Sequence, residues 1–367
     1  MPPTHEVFGP DFFQEIVKET ILARVQRALL EVPAEFWPDS QQIEAWTRWL
    51  EAPDWTQPLQ ADEVWHIVHP EGRPALLIQQ GLFDVNASDM WRESLAISRQ
   101  HLIDAIQSVG RIEVWDSTID QRHVIGTGWM AADNIMITNR HVARCFAKGV
   151  PPFSFKTGAA DFTVELSVSV DFQGELDVVG RRAFPVVRVE YIAEEGGPDI
   201  AFLRVGDGFS SAHQLPRPIP LATDLGDKIT AGRQVVAIGY PAYPSHLGPH
   251  DPNSPCAGEE RDILVVFGAR SSLGFKRLSP GQIMSKDKDP RRILARGCGS
   301  AVEFLDNGQD IDTFLHDCST LPGSSGSCVI DLETGEALGI HFYGHYCVAN
   351  HAVQAAVIAD RLHQLEL

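Results

Sequence analysis

Three short segments carry residue types that together could run acyl transfer. Ile137-Thr-Asn-Arg-His141-Val142 closes an apolar run and Pro198-Asp199-Ile-Ala-Phe-Leu203 opens another, while Gly323-Ser-Ser325-Gly-Ser327 is a glycine-rich turn ahead of Cys328-Val-Ile330. Acyl transfer needs a hydroxyl nucleophile, a neutral imidazole to take its proton, and a carboxylate that fixes the imidazole tautomer and stabilises its cation. Those roles fall to Ser325, His141 and Asp199. The glycines serve the same chemistry, because a tight turn that aims backbone N–H groups at one point makes an oxyanion hole. Its donors are expected to be the amides of Gly323 and Ser325, and losing one such donor costs on the order of 100- to 1,000-fold in turnover. Taken singly, each segment has an ordinary reading as a linker, a structural histidine or a turn aspartate. Their order and their flanking strands make the joint case.

Strands must position these segments. From Gly110 the chain breaks into short β-branched runs separated by Gly, Pro, Asp and Asn: RIEVW, HVIGTGW, NIMITN, FTVELSVSV, PVVRVEYI, DIAFLRV, RQVVAIGY and RDILVVFG. No helical crossovers separate them, which favours antiparallel barrels or sandwiches over a parallel sheet. Before residue 109 the periodicity is helical. Phe12, Phe13, Ile16, Ile21, Val25 and Leu29 line one face over residues 10–31; a second helical stretch follows Asp39-Ser40; a third runs from Asn86 through Trp91, Leu95, Leu102 and Ile106. Six of the eight tryptophans (Trp37, Trp46, Trp49, Trp55, Trp65 and Trp91) precede residue 108, a density that predicts a packed core. The junction is expected at Ser108-Val109-Gly110, dividing a helical N-terminal domain (1–108) from a β domain (109–367) that closes with a helix from Ala355 to Leu367.

The formal net charge of −19 argues against nucleic acid as a partner, since phosphate binding depends on clustered Lys and Arg. No apolar run is long enough to span a membrane, and the N-terminus lacks the basic and apolar regions of a secretion signal, so a cytoplasmic location is expected. Cys145, Cys256, Cys298, Cys318, Cys328 and Cys347 form no CxxC pair, which suggests free thiols in a reducing compartment. The string His341, His345, Cys347, His351 has donors of the kind zinc takes. Ligands on one strand do not readily converge on a tetrahedral ion, however, so neither a metal nor an organic cofactor is expected.

The runs GTGWMAADNIMITNRHV (126–142), DIAFL (199–203) and GSSGSCVIDLETGEALGIHFYG (323–344) resemble bacterial trypsin-like serine peptidases, in the His, Asp, Ser order of the chymotrypsin arrangement. Val109-Gly-Arg-Ile-Glu113, Ile238-Gly-Tyr-Pro241 and Lys276-Arg-Leu-Ser-Pro-Gly281 extend the resemblance over roughly residues 109–360. It implies a mainly β fold, a chymotrypsin-like double antiparallel β-barrel, and a serine endopeptidase acting on proteins or peptides; the helical N-terminal domain, residues 1–108, lies outside the resemblance. Ser324 stands where secreted animal trypsins have the aspartate that receives a new N-terminus, so that activation mode is not expected here. Val142 and Cys328 likewise replace a cysteine and a proline of related enzymes.

By resemblance to glutamyl endopeptidases, Thr320 and His341 would line the specificity pocket together with Phe342, Tyr343 and Gly344. Imidazole and hydroxyl donors suit a Glu or Asp side chain at P1. Ser319 occupies the position where a trypsin-like preference for Lys or Arg would need an aspartate. Residues 1–108, with 17 Asp plus Glu against 7 Lys plus Arg, are expected to act as an adaptor, an inhibitory prosegment or a brace, with a regulatory protein as their partner. Two other functions fit the same residues: a catalytically silent binding module on the protease fold, and an esterase using the same triad.

Overall fold

The computed structural model describes residues 72–160, 162–209, 213–242, 257–285, 313–345 and 349–367. The helices expected over 10–31 and after Asp39-Ser40, five of the six early tryptophans, and Cys256, Cys298 and Cys347 lie outside the described residues.

After β1 (Leu76–Leu77), two helices, α1 (Arg92–Ile97) and α2 (Arg99–Ser108), run directly into β2 (Val109–Asp116). Then come β3 (Gln121–Ala132), β4 (Ile135–Thr138), α3 (Arg140–Phe146) and a small hairpin of β5 (Ala147–Lys148) and β6 (Ser154–Phe155). The strands β7 (Ser167–Asp171), β8 (Ala183–Ile192) and β9 (Ala201–Val205) complete a closed antiparallel barrel in the order β2-β3-β4-β9-β8-β7. The next elements are β10 (Gln234–Gly239), α4 (Ala257–Phe267), β11 (Arg277–Met284), β12 (Thr313–His316), β13 (Cys328–Asp331), β14 (Ala337–His345), β15 (Ala349–Gln354) and α5 (Ala355–Gln364). Here the order is β11-β10-β13-β14-β15-β12, closed by β12 on β11, with β1 added to the free part of the β11 edge. The fold is thus the double antiparallel barrel expected from the strand pattern.

Alternation divides each strand between two cores. On β9, Ala201, Leu203 and Val205 fill the first barrel while Phe202 faces outward; on β10, Val235 and Ala237 fill the second barrel while Val236 and Ile238 face outward. The outward residues form one seam with Leu76, Trp91, Leu95, Leu102 and Ile106 from β1, α1 and α2, and with Ile358 and Leu362 of α5. Burial on both faces explains why these strands read as continuous apolar runs.

One segment departs from the sequence expectation. RDILVVFG, expected as a strand, belongs to α4 up to Phe267: Ile263, Val266 and Phe267 are buried while Leu264 and Val265 are exposed, a spacing of three and four that only a helix supports. A window of β-branched residues favours a strand locally, but burial of that one face against Ala75, Leu273 and Leu321 decides the outcome.

Candidate active site

β4 and β9 pair antiparallel with Thr138 opposite Ala201, so the segment leaving β4 meets the segment entering β9. The strand ends at Thr138, whose hydroxyl donates to the Thr127 carbonyl at 2.7 Å. Asn139 is the extended residue before α3, and its side chain donates to the Asp199 carbonyl at 2.9 Å. His141 therefore sits in the first turn of α3 rather than at a strand end, because Val142, Ala143 and Phe146 coil back into the first barrel's core.

The imidazole Nδ1 lies 2.6 Å from Asp199 Oδ2, and the His141 backbone N–H donates to Oδ1 at 3.1 Å. A proton on Nδ1 bound to the carboxylate leaves Nε2 free of a proton and able to accept one. Burial by itself raises the Asp199 pKa, but the His141 charge and hydrogen bond, with Arg140 beyond them, outweigh it and hold the carboxyl below its usual range. The acid stays ionised where it faces the imidazole.

The serine turn is shaped by glycine. Gly323 has φ +83° and Gly326 φ +92°, and a Cβ on Gly326 would lie 1.9 Å from the Thr127 carbonyl oxygen. Thr127 ties this turn to the first barrel: its N–H donates to the Ser325 carbonyl at 2.9 Å and its hydroxyl to the Gly323 carbonyl at 2.8 Å. Gly326 N–H donates to the His341 carbonyl on β14 at 2.9 Å. The turn and the histidine helix meet at Gly126, where a Cβ would stand 2.9 Å from Val142 and 3.3 Å from the Ser325 carbonyl oxygen.

The amides of Ser324, Gly326 and Ser327 are occupied by backbone carbonyls; among the described residues nothing accepts from those of Gly323 and Ser325. The structure thus joins His141 to Asp199 directly and brings the Ser325 turn to the same corner.

Two barrels with a histidine–aspartate pair on the first and a glycine-built serine turn on the second define a hydrolase of the chymotrypsin-like class. A family model described as "Trypsin-like peptidase domain" matches residues 126–340, more than half of the 367 residues. The chain belongs to that family, and is a serine endopeptidase whose substrates are proteins or peptides. Among solved structures, the inactive form of the Rv3671c protease is 18% identical, covering 74% of this chain and 96% of that one, with a TM-score of 0.39. The active form of the Rv3671c protease from M. tuberculosis is 19% identical over 74% and 86%, with a TM-score of 0.42. No curated protein matches the chain.

Around the expected pocket residues lies a set of rings that sequence reasoning did not assemble. His341 is fully buried on β14, with its Nδ1 3.3 Å from His316 Nε2 on β12. The register shift between His341 and Tyr343 interrupts the strand's alternation, and both Phe342 and Tyr343 come against the His351 ring, at 6.1 and 5.7 Å between centroids. Thr320 donates to Asn350 Oδ1 at a long 3.4 Å, and Asn350 in turn donates to the Cys318 carbonyl. Gly344 is buried on the same strand. Burial, and then the His316, His351 and His141 imidazoles, push His341 well below the usual histidine range, so it is neutral at neutral pH. Among the described residues no group of three or more His, Cys, Asp or Glu side chains could hold a metal ion. His316 and Asn350 carried no sequence signal, since His316 on β12 reaches His341 on β14 only because β15 pairs with both strands.

Proposed function

We propose that Ser325 is the nucleophile of this peptidase, with His141 as its base, Asp199 as the acid that orients the imidazole, and the Gly323 and Ser325 amides as the oxyanion donors. The observation that carries this reading is the 2.6 Å contact from His141 Nδ1 to an ionised, partly buried Asp199. An acyl-enzyme forms on Ser325, the leaving amine takes the proton from His141, and water then releases the acid. Substitution Ser325→Ala should abolish cleavage while leaving the far-ultraviolet spectrum unchanged; retained turnover would end the assignment.

We propose further that Thr320, His341, Phe342, Tyr343 and Gly344 line a pocket for Glu or Asp at P1. A neutral His341 backed by His316 supplies one N–H to a carboxylate, and the weak Thr320–Asn350 contact is readily exchanged for a second donor. Peptides differing only in Glu, Gln or Lys at P1 test this, and equal kcat/KM for Glu and Gln would reject it.

Residues 1–108 are proposed as a regulatory region that takes a protein partner. In support, the point where the chain emerges from residues 1–71 is fastened to the segment leading to Thr320. Trp91 Nε1 donates to the Gly72 carbonyl at 2.8 Å, Arg73 to Asp317 at 2.7 Å, and Ser319 Oγ to the Arg73 carbonyl at 2.7 Å. Turnover of a chain beginning at Gly72 should differ from that of the full chain; equal rates would remove regulation by residues 1–71. A cytoplasmic setting, away from nucleic acid and membranes, is the reading that the free, buried thiols of Cys318 and Cys328 and the acidic balance support.

A further inference from the structure

Asp199 follows a turn with two glycines, Ala193-Glu-Glu-Gly-Gly-Pro198, in which Gly196 has φ +82° and the Gly197 N–H donates to the Glu194 carbonyl at 3.0 Å. Such a turn has little stiffness of its own. Arg140, the residue before His141, reaches across to it. Its Nη1 donates to the Glu194 carbonyl at 2.6 Å and to the Gly197 carbonyl at 3.2 Å, and its Nε stands 4.0 Å from Asp199 Oδ1. His141 holds the other oxygen, Oδ2.

We propose that Arg140 is the positioning residue of this site: its guanidinium fastens the turn that delivers Asp199 and shares that carboxylate's charge with His141. This rests on the reading of His141 and Asp199 as catalytic partners. A planar fork with several donors can span two carbonyls while keeping its charge beside a third oxygen, which an ammonium cannot do with the same geometry.

The sign of the electrostatic effect follows from the arrangement. The cation opposes the field that Asp199 exerts on the imidazole, so it weakens His141's hold on a proton. Among the described residues, His341 feels the His141 charge, and Cys145 Sγ donates to the His141 carbonyl at 3.4 Å. On the far side of Arg140 stand Glu194 and Tyr191, with Arg361 of α5 5.0 Å from the Tyr191 ring centre. None of these puts a positive charge on Asp199 in place of Arg140.

The test is a direct titration of the His141 imidazole by NMR, in full-length protein carrying Ser325→Ala, with and without Arg140→Met or Arg140→Lys. With Arg140→Met the His141 midpoint should rise by roughly half a pH unit, as expected for a unit charge a few ångströms beyond the carboxylate. Arg140→Lys should restore most of the midpoint. In chains that retain Ser325, the acid limb of kcat/KM should move in parallel, and Arg140→Lys should still fall short in kcat because the turn is held less firmly. An unchanged His141 midpoint in Arg140→Met, or a rise that Lys does not reverse, overturns the proposal. The titration needs no turnover, so its outcome is separate from the triad reading, which fails if Ser325→Ala still cleaves peptides.

Discussion

Lys276 is fully buried where α2, the first barrel and the second barrel meet, and replacing it with methionine should change how stability depends on pH. Its Nζ donates to the Ile106 carbonyl at 2.9 Å and the Phe172 carbonyl at 2.7 Å, and lies 3.9 Å from Glu175 Oε1. Burial lowers its pKa from 10.5 to about 8, against the pull of Glu175 and Asp171. Between these values the unfolded chain binds more protons than the native one, so this group's contribution to stability rises with pH. Across the whole gap the linkage is worth about 3 kcal/mol, and from pH 7.5 to pH 9.5 about 2 kcal/mol. Lys276→Met lacks this term, and at pH 7.5, where the native ammonium is mostly charged, it also leaves two carbonyls and Glu175 without their cation, a loss of a few kcal/mol. Cys318 and Cys328, whose buried thiols titrate well above their ordinary value, oppose the rise at the alkaline end in both chains and cancel in the difference. Urea unfolding followed by tryptophan fluorescence at the two pH values should show the wild-type advantage growing by about 2 kcal/mol. A difference that stays constant with pH would refute the argument that burial lowers the Lys276 pKa into this range in the native state.

Other substitutions test the site itself. Gly326→Ala forces a Cβ to within 1.9 Å of the Thr127 carbonyl oxygen at a positive φ, so the turn must shift; kcat/KM should fall by at least about 100-fold through misplaced oxyanion donors, and a fall under about threefold would contradict that geometry. His316→Phe removes the imidazole nitrogen that backs His341, and the preference for Glu over Gln at P1 should drop about tenfold, the worth of one charge-assisted hydrogen bond. Matched P1 peptides measure this, with an unchanged ratio counting against the pocket reading.

Much of this architecture is legible in the residues. The glycines around Ser325, the strand running into His141 and the Pro-Asp opening β9 are local signals, and local signals survive folding when tertiary structure agrees with them. The switch of periodicity at Ser108–Val109 likewise marks the end of α2 and the start of β2. That switch does not convey that apolar residues on both sides of it share one seam, because periodicity reports elements and not the core they join. β11 carries no clear strand pattern of its own: Pro280 interrupts it, and the strand exists because β10, β1 and β12 pair along it. His316, Asn350 and Arg140 act through partners 25 to 59 residues away in sequence, beyond the reach of any local pattern. Helix α4 runs against its local β propensity because burial of a single face outweighs it.

The central claim is that Ser325 is a nucleophile activated by His141 and Asp199. Labelling purified full-length protein with a fluorophosphonate and mapping the modified residue tests it most directly. The account predicts modification at Ser325 and its loss in His141→Ala. Labelling at another serine, or undiminished labelling of Ser325 in His141→Ala, would contradict it.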